Sequence, residues 1–471
     1  MDRFIGRKKE LDLLEKWYDS GSFEFVAMYG RRRVGKTAII KQFLKGKRVI
    51  FFSARRTKGN SNIQLFNRTV KRTLGVADDN VLCFDDLFEL IGNSADERLV
   101  LVIDEFPYFA ESNDDIMSAL QVFIDLTAGN TKLFLLLCGS SMSFMKRQVL
   151  GYESPLYGRR THEMYVKPMT YLESAEFLAG RTNYEKACIY GAVGGVPMYL
   201  KKFSGSGDVF DIMAEEFFSD GSTLSSEPES LLLQELHDPK RYNDVIEAMA
   251  EGLTRLNDIS NRSGIPAAEI SRYMDDLVVL GYVDKMSPIN ENKKKNTRYY
   301  ISDNLFRFYY QMVIRKKQIL LASSVEEVSE NLRTEFPEYM GRTFEIMCAQ
   351  YIVNNMGYPT VGKWWGPVRE GTSEIDVIGS VGRSGGVEGL FAECKFTKRL
   401  AESEDLEKLR EKAGYVKGFD TKRYAVFSRS GFTEGLTEKA DAWGVPLVSL
   451  DMMYERKTTP DGSNRQRRKR S

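Results

Sequence analysis

The stretch from Phe23 to Phe43 reads FEFVAMYGRRRVGKTAIIKQF. Its apolar beginning predicts a buried strand, and its AIIKQF end predicts a helix. The GxxxxGK[ST] pattern between them therefore stands at the turn from a strand to a helix, where that pattern is typical of a P-loop. A glycine turn that binds nothing does not need this combination of strand, loop and helix.

Each residue type of this loop suits the binding of a phosphate chain. Gly30 and Gly35 let the backbone wrap closely around phosphates, and the free N–H groups at the start of the following helix favour anions. Lys36 is expected to reach the β- and γ-phosphates, and the Thr37 hydroxyl is expected to bind Mg²⁺. The predicted cofactors are ATP and Mg²⁺. The predicted nucleotide-binding residues are Gly30, Arg31, Arg32, Arg33, Val34, Gly35, Lys36, Thr37 and Ala38.

A second motif, LVLVIDEFP at Leu99–Pro107, predicts another buried parallel strand. It delivers Asp104 and Glu105 at its carboxyl end, where doubly wound sheets bind their ligands. We expect Asp104 to hold Mg²⁺, and Glu105 to orient and deprotonate the attacking water. An acidic pair after a strand often only begins a loop, but its position downstream of a P-loop favours the catalytic interpretation.

A further strand, KLFLLLCGSSMSF, ends at Ser140 and Ser141. Hydroxyl groups at this position are candidates for sensing the γ-phosphate or aligning the attacking water. The alternative is that they cap the following helix. The sequence leaves both roles open.

The later segment SPLYGRRT carries Arg159 and Arg160. Either arginine is a candidate for neutralising charge in the transition state of phosphoryl transfer, and we expect it to act in trans from a neighbouring subunit. This expectation implies a homo-oligomer. The alternative is an ordinary pair of solvated or salt-bridged arginines.

Together, GRRRVGKT, LVLVIDEF, LCGSSMSF, SPLYGRRT and GGVPMYL resemble the archaeal and bacterial ATPase family of the additional-strand P-loop class, which is related to AAA+ and STAND ATPases. The resemblance implies a helical lid that the GGxP turn of Gly194, Gly195 and Pro197 opens. It also implies that the lead-in segment FIGRKKELDLLEKW helps to hold the adenine. By itself, GGxP indicates only a turn between two helices.

Three helical segments, YNDVIEAMAEG, LNDISNRSG and PAAEISRYMDDLVVLG, precede two short strands around a lysine-rich loop. Helix, helix, helix and hairpin is the order of a winged helix. If this domain binds DNA, Glu269, Ser271 and Arg272 are expected to face the major groove. Lys293–Lys295 would then contact phosphates. The third helix is not strongly basic, however, and winged helices also serve as protein-docking modules.

The last domain carries a second group of charged residues. The helix RTFEIMCAQYI bears Glu345, and the strand SEIDVIGSV bears Asp376. The next strand, LFAECKF, presents Glu393 and Lys395 on one face because side chains alternate along a strand. Carboxylates on neighbouring strands with a lysine nearby suit a Mg²⁺-dependent phosphodiesterase. Asp376 and Glu393 would bind the metal, Lys395 would polarise the water, and Glu345 would complete the shell. Glu374 shares the face of Asp376 and is an alternative ligand.

This arrangement resembles the PD-(D/E)xK restriction-endonuclease-like fold, and the whole chain resembles archaeal ATPases that carry such a C-terminal domain. The predicted fold class is multidomain α/β, in which a doubly wound parallel P-loop sheet with a helical lid is joined to a winged helix and a restriction-endonuclease-like domain. The predicted domains are a P-loop ATPase core at 1–168, a helical lid at 169–230, a winged helix at 231–303, a helical connector at 304–335, a nuclease-like domain at 336–454 and a basic disordered tail at 455–471.

Composition excludes several classes of protein. The 67 basic and 66 acidic residues nearly balance, which argues against a uniformly basic nucleic-acid coat without excluding local patches. The 5 cysteines form no CxxC pair and there are only 2 histidines, so a zinc site is not expected. The N-terminus lacks the apolar segment of a signal peptide, and no apolar run approaches the roughly 18 residues of a membrane span. We therefore expect a cytoplasmic protein with reduced cysteines and no membrane contact.

These expectations combine into an ATP-hydrolysing protein that processes DNA, with a Mg²⁺-dependent nuclease-like domain regulated by the nucleotide. The alternative is a STAND-like signalling switch whose C-terminal domain binds nucleic acid or a protein without cleavage. A nucleotide-binding scaffold without turnover is a third interpretation.

Overall fold

The computed structural model describes residues 4–57, 59–77, 80–219, 221–236, 238–289, 296–316 and 323–455. Two basic segments singled out in the sequence, Lys293–Lys295 and the predicted tail from residue 456 onward, lie outside these ranges. Among the described helices, none combines the length and the apolar character that crossing a bilayer requires.

The described part of the N-terminal domain is built on five parallel strands. They are β1 (Glu24–Tyr29), β2 (Val49–Ser53), β3 (Leu99–Asp104), β4 (Leu133–Gly139) and β5 (His162–Tyr165). Their order in the sheet is β2-β3-β4-β1-β5. Every residue of β1, β3 and β4 is buried, as in sheets that helices cover on both faces. Since only β4 separates β1 from β3, the loops after these two strands lie at the same edge of the sheet.

Helices surround this sheet. They are α1 (Lys8–Tyr18), α2 (Lys36–Phe43), α3 (Ser61–Leu74), α4 (Phe84–Asn93), α5 (Phe106–Ser112), α6 (Ile116–Leu126) and α7 (Met142–Phe144), which continues as a π-helical turn at Met145–Val149. The P-loop lies between β1 and α2, and Asp104 ends β3, so the strand, loop and helix predicted around both motifs are present.

A group of helices follows, in the region predicted as a helical lid. It comprises α8 (Tyr171–Ala175), α9 (Asn183–Val193), α10 (Pro197–Leu200) and α11 (Val209–Phe218). The GGxP turn joins α9 to α10, so it lies inside the lid rather than at its beginning. Gly195 packs against Met169, where an added Cβ would lie 1.9 Å from the backbone carbonyl oxygen. The Met169 N–H also donates to the Gly195 carbonyl at 2.7 Å, which ties this turn to the end of the ATPase core.

The next segment has the predicted order of helices and hairpin. It comprises α12 (Glu227–Glu235), α13 (Pro239–Ala250), α14 (Leu256–Ser263), α15 (Ala267–Leu280), β6 (Val283–Met286) and β7 (Arg298–Ile301). β6 and β7 are antiparallel. The aromatic connector begins with α16 (Asn304–Phe308) and a π-helical turn at Tyr309–Val313, whose aromatic side chains are buried, as expected of a packing segment.

The C-terminal domain is a mixed sheet with helices. Its elements are α17 (Val325–Asn355), β8 (Thr360–Pro367), β9 (Thr372–Arg383), β10 (Gly386–Lys395), α18 (Ser403–Gly414), β11 (Thr421–Ser428), α19 (Glu434–Trp443), β12 (Leu447–Ser449) and α20 (Leu450–Tyr454). The strand order is β12-β11-β10-β9-β8. β8, β9 and β10 form an antiparallel meander, whereas β10, β11 and β12 are parallel. The predicted boundary between residues 335 and 336 falls inside α17.

Candidate functional site

The loop between β1 and α2 has the close packing that its glycines allow. An added Cβ at Gly30 would lie 2.4 Å from the carbonyl oxygen of Val166. Gly35 begins α2 with a φ of +97°, a conformation that other residues rarely adopt. Arg33 takes a φ of +69° without being glycine, so the loop carries backbone strain that its surroundings maintain.

The side chains predicted to bind phosphate and Mg²⁺ lie close to one another at the carboxyl ends of β1 and β3. The buried Lys36 ammonium donates to the carbonyl oxygens of Gly30 at 2.7 Å and Arg31 at 2.9 Å. Burial lowers the pKa of Lys36. Thr37 Oγ1 donates to Asp104 Oδ2 at 3.0 Å. A hydroxyl in contact with a carboxylate fits Mg²⁺, which usually binds one or two such oxygens together with water and substrate phosphates.

Glu105 stands where β3 turns into α5, with a φ of +53°. Strain of this kind in a residue other than glycine is frequent at functional sites. The buried Ser140 hydroxyl donates to Glu105 Oε2 at 2.7 Å. Ser141, by contrast, begins α7 without a side-chain cap. The sequence leaves two roles open for these serines. In the structure, the Ser140 hydroxyl contacts the carboxylate of Glu105, which is the predicted catalytic base.

A cavity of about 310 Å³ opens beside the loop. Its lining is mainly apolar and comes from the lead-in segment, α2 and the lid. The Arg7 guanidinium donates to the Val34 carbonyl at 2.8 Å and so fixes the lead-in segment to the P-loop. The cavity thus lies where the resemblance implies that the lead-in segment meets the adenine. Lining residues include Phe4, Ile5, Ala38, Met169, Phe177 and Pro197.

The three loop arginines form ion pairs with residues far away in sequence. Arg31 Nη1 lies 2.5 Å from Asp303 Oδ2, and Arg33 pairs with the buried Glu227. Arg31 also lies 4.4 Å from the ring centroid of Tyr282. The side chains of Arg31 and Arg33 are thus paired with acidic residues outside the predicted ATPase core. For these two residues, the predicted nucleotide binding is therefore limited to their backbone groups.

Arg32 has its own partners. Its Nη2 donates to the Tyr108 hydroxyl at 2.6 Å, and its Nε donates to Glu235 Oε1 at 3.3 Å. Sequence reasoning missed these ion pairs because no pattern links the loop to single acidic residues that lie 194 to 272 positions downstream.

Arg159 and Arg160 are both engaged within the ATPase core. Arg159 donates through Nε and Nη2 to the two Asp125 carboxylate oxygens at 2.7 Å each. Arg160 Nε lies 3.5 Å from Glu163 Oε2. Within the described ranges, the hydrogen bonds and ion pairs of these guanidinium groups run to residues outside the P-loop. Their role in trans stays a prediction, as does the homo-oligomer.

The predicted residues of the C-terminal domain come together at β9 and β10. The Cys394 N–H donates to Asp376 Oδ2 at 3.0 Å, and Lys395 Nζ lies 2.7 Å from Glu393 Oε1. Desolvation, followed by the neighbouring Glu393 and Glu345 carboxylates, raises the pKa of Asp376 to about 7. These groups therefore form one electrostatically coupled cluster.

Glu374 does not belong to this cluster. Its side chain is 53% exposed, and its carboxylate lies 3.5 Å from Arg298. Asp376, by contrast, lines a cavity of about 340 Å³ together with Glu345. Of the two alternative ligands, the structure therefore favours Asp376.

Two cations that the sequence analysis does not single out hold Glu345. Lys363 Nζ lies 2.6 Å from Glu345 Oε2, and Arg342 Nη1 lies 3.1 Å from the same oxygen. Both residues line the cavity that contains Asp376. Arg342 precedes Glu345 by three residues, so helical spacing signals that pair. No sequence pattern connects Lys363 on β8 to α17.

Two of the predicted metal ligands retain binding capacity. Glu393 Oε2 is buried without a hydrogen bond, and Asp376 is its acidic neighbour on β9. A pair of carboxylates of this kind fits Mg²⁺. Within the described ranges, however, no three His, Cys, Asp or Glu side chains are arranged to hold a metal ion. The expected third ligand, Glu345, is instead neutralised by its two cations.

The hairpin of the three-helix domain covers one side of this cavity. Asp284 and Met286 of β6 are among its lining residues. The Ile289 N–H donates to the Lys363 carbonyl at 2.8 Å, and Arg342 Nη2 lies 3.5 Å from Met286 Sδ. The hairpin of β6 and β7, which we call the wing, is thus docked on the C-terminal domain at the carboxylate cluster.

Helix α15 has a free end and an engaged end. Glu269, Ser271 and Arg272 are exposed at its beginning, although Glu269 is paired with Arg241 at 3.0 Å. Near its other end, Lys146 donates to a backbone carbonyl of α15 at 3.2 Å. The segment that begins after Ser140 therefore connects the nucleotide site to the predicted recognition helix.

Comparisons with known protein families give matches in three parts of the chain. Residues 4–203 match an ATPase domain found predominantly in Archaea, in agreement with the predicted ATPase, and the match extends past the predicted end of the core at residue 168. Residues 241–286 match the IclR helix-turn-helix domain, in agreement with the predicted winged helix. Residues 309–409 match archaeal and bacterial proteins of unknown function.

Individual relatives extend the likeness. An uncharacterized protein of Methanocaldococcus jannaschii is 30% identical over 404 residues, which cover 83% of this chain and 87% of that protein. An uncharacterized ATP-binding protein of the same organism is 46% identical over 46 residues, or 10% of this chain and 78% of that protein. The structure of a Walker-type ATPase of Pyrococcus abyssi covers 66% of this chain and 96% of its own, with a TM-score of 0.51 and 20% identity. The last likeness confirms the parallel P-loop fold.

Proposed function

Because the chain belongs to the family of the Methanocaldococcus jannaschii protein that it matches along most of its length, and carries the archaeal ATPase domain, we propose that it binds Mg-ATP and hydrolyses it. The observation that carries this proposal is the hydrogen bond that joins Thr37 of the P-loop to Asp104, which sets Lys36 and Glu105, their neighbours in the chain, at the same edge of the sheet. Binding and catalytic groups thus stand together on one edge of the sheet.

Each residue of this group has a role in the proposed reaction. The loop N–H groups and Lys36 would bind the β- and γ-phosphates, and Thr37 with Asp104 would hold Mg²⁺. Bound Mg²⁺ would supply charge neutralisation on the phosphate oxygens. Glu105 accepts the proton of the attacking water, and Ser140 holds the Glu105 carboxylate in position through its hydrogen bond.

The substitution Glu105→Gln tests this proposal. It keeps the size of the side chain and removes the base, so we expect phosphate release to fall on the order of 10²- to 10⁴-fold with ATP binding retained. Phosphate release and calorimetry with Mg-ATP measure the two quantities. Turnover in the parent that Glu105→Gln leaves unchanged would contradict the assignment, and a parent that releases no phosphate would favour a scaffold without turnover.

The C-terminal domain is proposed to act on DNA phosphodiesters. Support comes from its antiparallel meander, which sets Asp376 beside Glu393, and from the unbonded Glu393 Oε2. Asp376 and Glu393 would hold Mg²⁺, which would supply charge neutralisation at the phosphodiester. Lys395 orients the Glu393 carboxylate through their ion pair. The exposed end of α15 is proposed as the DNA contact, supported by the match to a helix-turn-helix domain.

A regulatory switch is the second candidate function. In this case the C-terminal domain would bind nucleic acid or a protein without cutting, an interpretation that the neutralised Glu345 favours. The double substitution Asp376→Ala and Lys395→Ala separates the two. Cleavage by the parent that the double variant loses, with DNA binding retained, supports the nuclease. A parent that binds DNA and cuts none of a panel of linear, circular and branched DNAs supports the switch.

Access to the carboxylate cluster is proposed to depend on the nucleotide. Support comes from the docked wing and from the ion pairs that join the P-loop to Asp303 and α12. A change in the loop during turnover would therefore act on the domain that covers the cluster. Equal DNA cleavage with ATP, with ADP and without nucleotide would contradict this coupling.

A further inference from the structure

Arg32 differs from the other loop arginines in the position of its partners. Its Nη2 donates to the Tyr108 hydroxyl at 2.6 Å, and its Nε donates to Glu235 at 3.3 Å. Tyr108 lies in the first turns of α5, where its N–H donates to the Glu105 carbonyl at 3.0 Å. The Arg32 guanidinium is therefore anchored within one helical turn of the proposed catalytic base.

A polar cavity of about 570 Å³ opens at this point. Arg32, Tyr108 and Ser141 are among its lining residues. The charge of Arg32 acts on both Glu105 and Lys36. Since Lys36 marks the β- and γ-phosphates and Glu105 marks the attacking water, Arg32 lies at the end of the site where the phosphoryl group is transferred.

Building on the proposed ATP hydrolysis, we propose that Arg32 is a catalytic residue that acts in cis on the transferring γ-phosphoryl group. The water oxygen bonds to the γ-phosphorus and its proton passes to Glu105. The bond from the γ-phosphorus to the bridging oxygen breaks, and its electron pair stays on ADP. The Arg32 guanidinium leaves Glu235 and donates to the oxygens on which negative charge develops.

The neighbouring arginines do not suit this role. Arg31 is buried against Asp303, and Arg33 is paired with Glu227, which is 3% exposed. Moving any of the three guanidinium groups would leave a little-exposed carboxylate without its cation, because the side chains of Asp303, Glu227 and Glu235 are 5%, 3% and 7% exposed, so the choice among them rests on geometry. Arg159 is held by both oxygens of Asp125. Arg32 has the longer ion pair and already faces the cavity.

The substitution Arg32→Ala in the full chain tests the assignment. We expect turnover to fall on the order of 10³-fold because transition-state charge loses its cation, while calorimetry shows Mg-ATP binding within about threefold of the parent. Added guanidinium ion should restore part of the activity. Arg56→Ala is the matched control, since Arg56 lines the same cavity and is not one of the hydrogen-bond partners of Arg32, and it should keep turnover within about twofold.

If Arg32 acts in cis, turnover per chain should not change on dilution. Turnover that falls on dilution, with Arg159→Ala or Arg160→Ala inactive and Arg32→Ala active, would overturn the assignment in favour of a partner subunit. Normal turnover of Arg32→Ala in a hydrolysing parent would also overturn it while leaving ATP hydrolysis intact. Absence of phosphate release from the parent would instead remove the proposed hydrolysis itself.

Discussion

At the scale of single residues, Asp376 lies beside Glu393 as the sequence pattern indicates, but its pKa depends on burial that the pattern does not reveal. Alternation along β9 and β10 places Asp376 beside Glu393, and the structure confirms that the two lie together. Desolvation, with the nearby Glu393 carboxylate as the next cause, raises the pKa of Asp376 to about 7. Burial and the neighbouring carboxylate both disfavour a negative charge on Asp376, although Lys395 pairs with Glu393, so the cluster carries a pH-dependent cost.

This cost predicts the effect of Asp376→Asn. The folded pKa of about 7 exceeds the ordinary value of 3.8, so the folded state loses stability as pH rises from about 4 to 7, and the full penalty holds above 7. Asparagine removes the charge. We expect it to stabilise the chain at pH 8 by at most about 4 kcal/mol and to have little effect at pH 4.5.

Thermal unfolding at both pH values, in buffer with a chelator, measures the difference. Glu374→Gln is the control on the same strand face, and it should show no such pH dependence because Glu374 is exposed beside Arg298. An Asp376→Asn shift of equal size at pH 4.5 and pH 8 would contradict the buried-charge explanation.

At the scale of elements, the turn that joins α9 to α10 is set by one close contact. A Cβ at Gly195 would lie 1.9 Å from the Met169 carbonyl oxygen, so Gly195→Ala must displace the backbone. We expect a loss of stability of roughly 2 to 4 kcal/mol. Gly205→Ala, where nothing lies within 4 Å of an added Cβ, is the control. Equal unfolding temperatures for the two variants would show that the lid adapts freely.

Elements with a strong local signal could be predicted from the sequence. The strand before the P-loop, the strand that ends at Asp104 and the three helices with their hairpin all occur where the pattern indicates. The end of the connector could not be predicted, because α17 runs through residue 335 as one helix of 31 residues. Local periodicity indicates that a helix exists, but packing between domains decides how far it extends.

Within the candidate sites, the sequence predicted which residue types occur and which strand face they occupy better than it predicted which side chains form pairs. Thr37 with Asp104, and Glu393 with Lys395, lie together as spacing and motif order indicate. The ion pair between Lys363 and Glu345 could not be predicted, since it depends on how α17 packs on β8. Long-range ion pairs of this kind leave no periodic trace in a single sequence.

At the scale of the whole molecule, the docked wing allows a direct test of regulated access. An added Cβ at Gly362 would lie 3.2 Å from the Ile289 Cβ, near the separation found in disulfides, about 3.5 to 4.5 Å. The double substitution Ile289→Cys and Gly362→Cys, with Cys83→Ser to remove an exposed thiol, should therefore lock the wing in place on oxidation.

We expect the oxidised variant to lose any DNA cleavage shown by the parent while keeping ATP turnover, and dithiothreitol to restore cleavage. Each single cysteine variant controls for lost packing at Ile289. Oxidised protein with a confirmed disulfide that still cuts DNA at the parent rate would show that the wing does not gate the cluster.

The three arginines of the P-loop also bear on how this chain can be divided. Their acidic partners, Glu227, Glu235 and Asp303, all lie beyond the predicted ATPase core and α11. A fragment that stops before residue 227 would leave three cations crowded in a strained turn with nothing to balance them. Nucleotide affinities measured on such a truncated piece would therefore describe a different loop from the one in the intact protein.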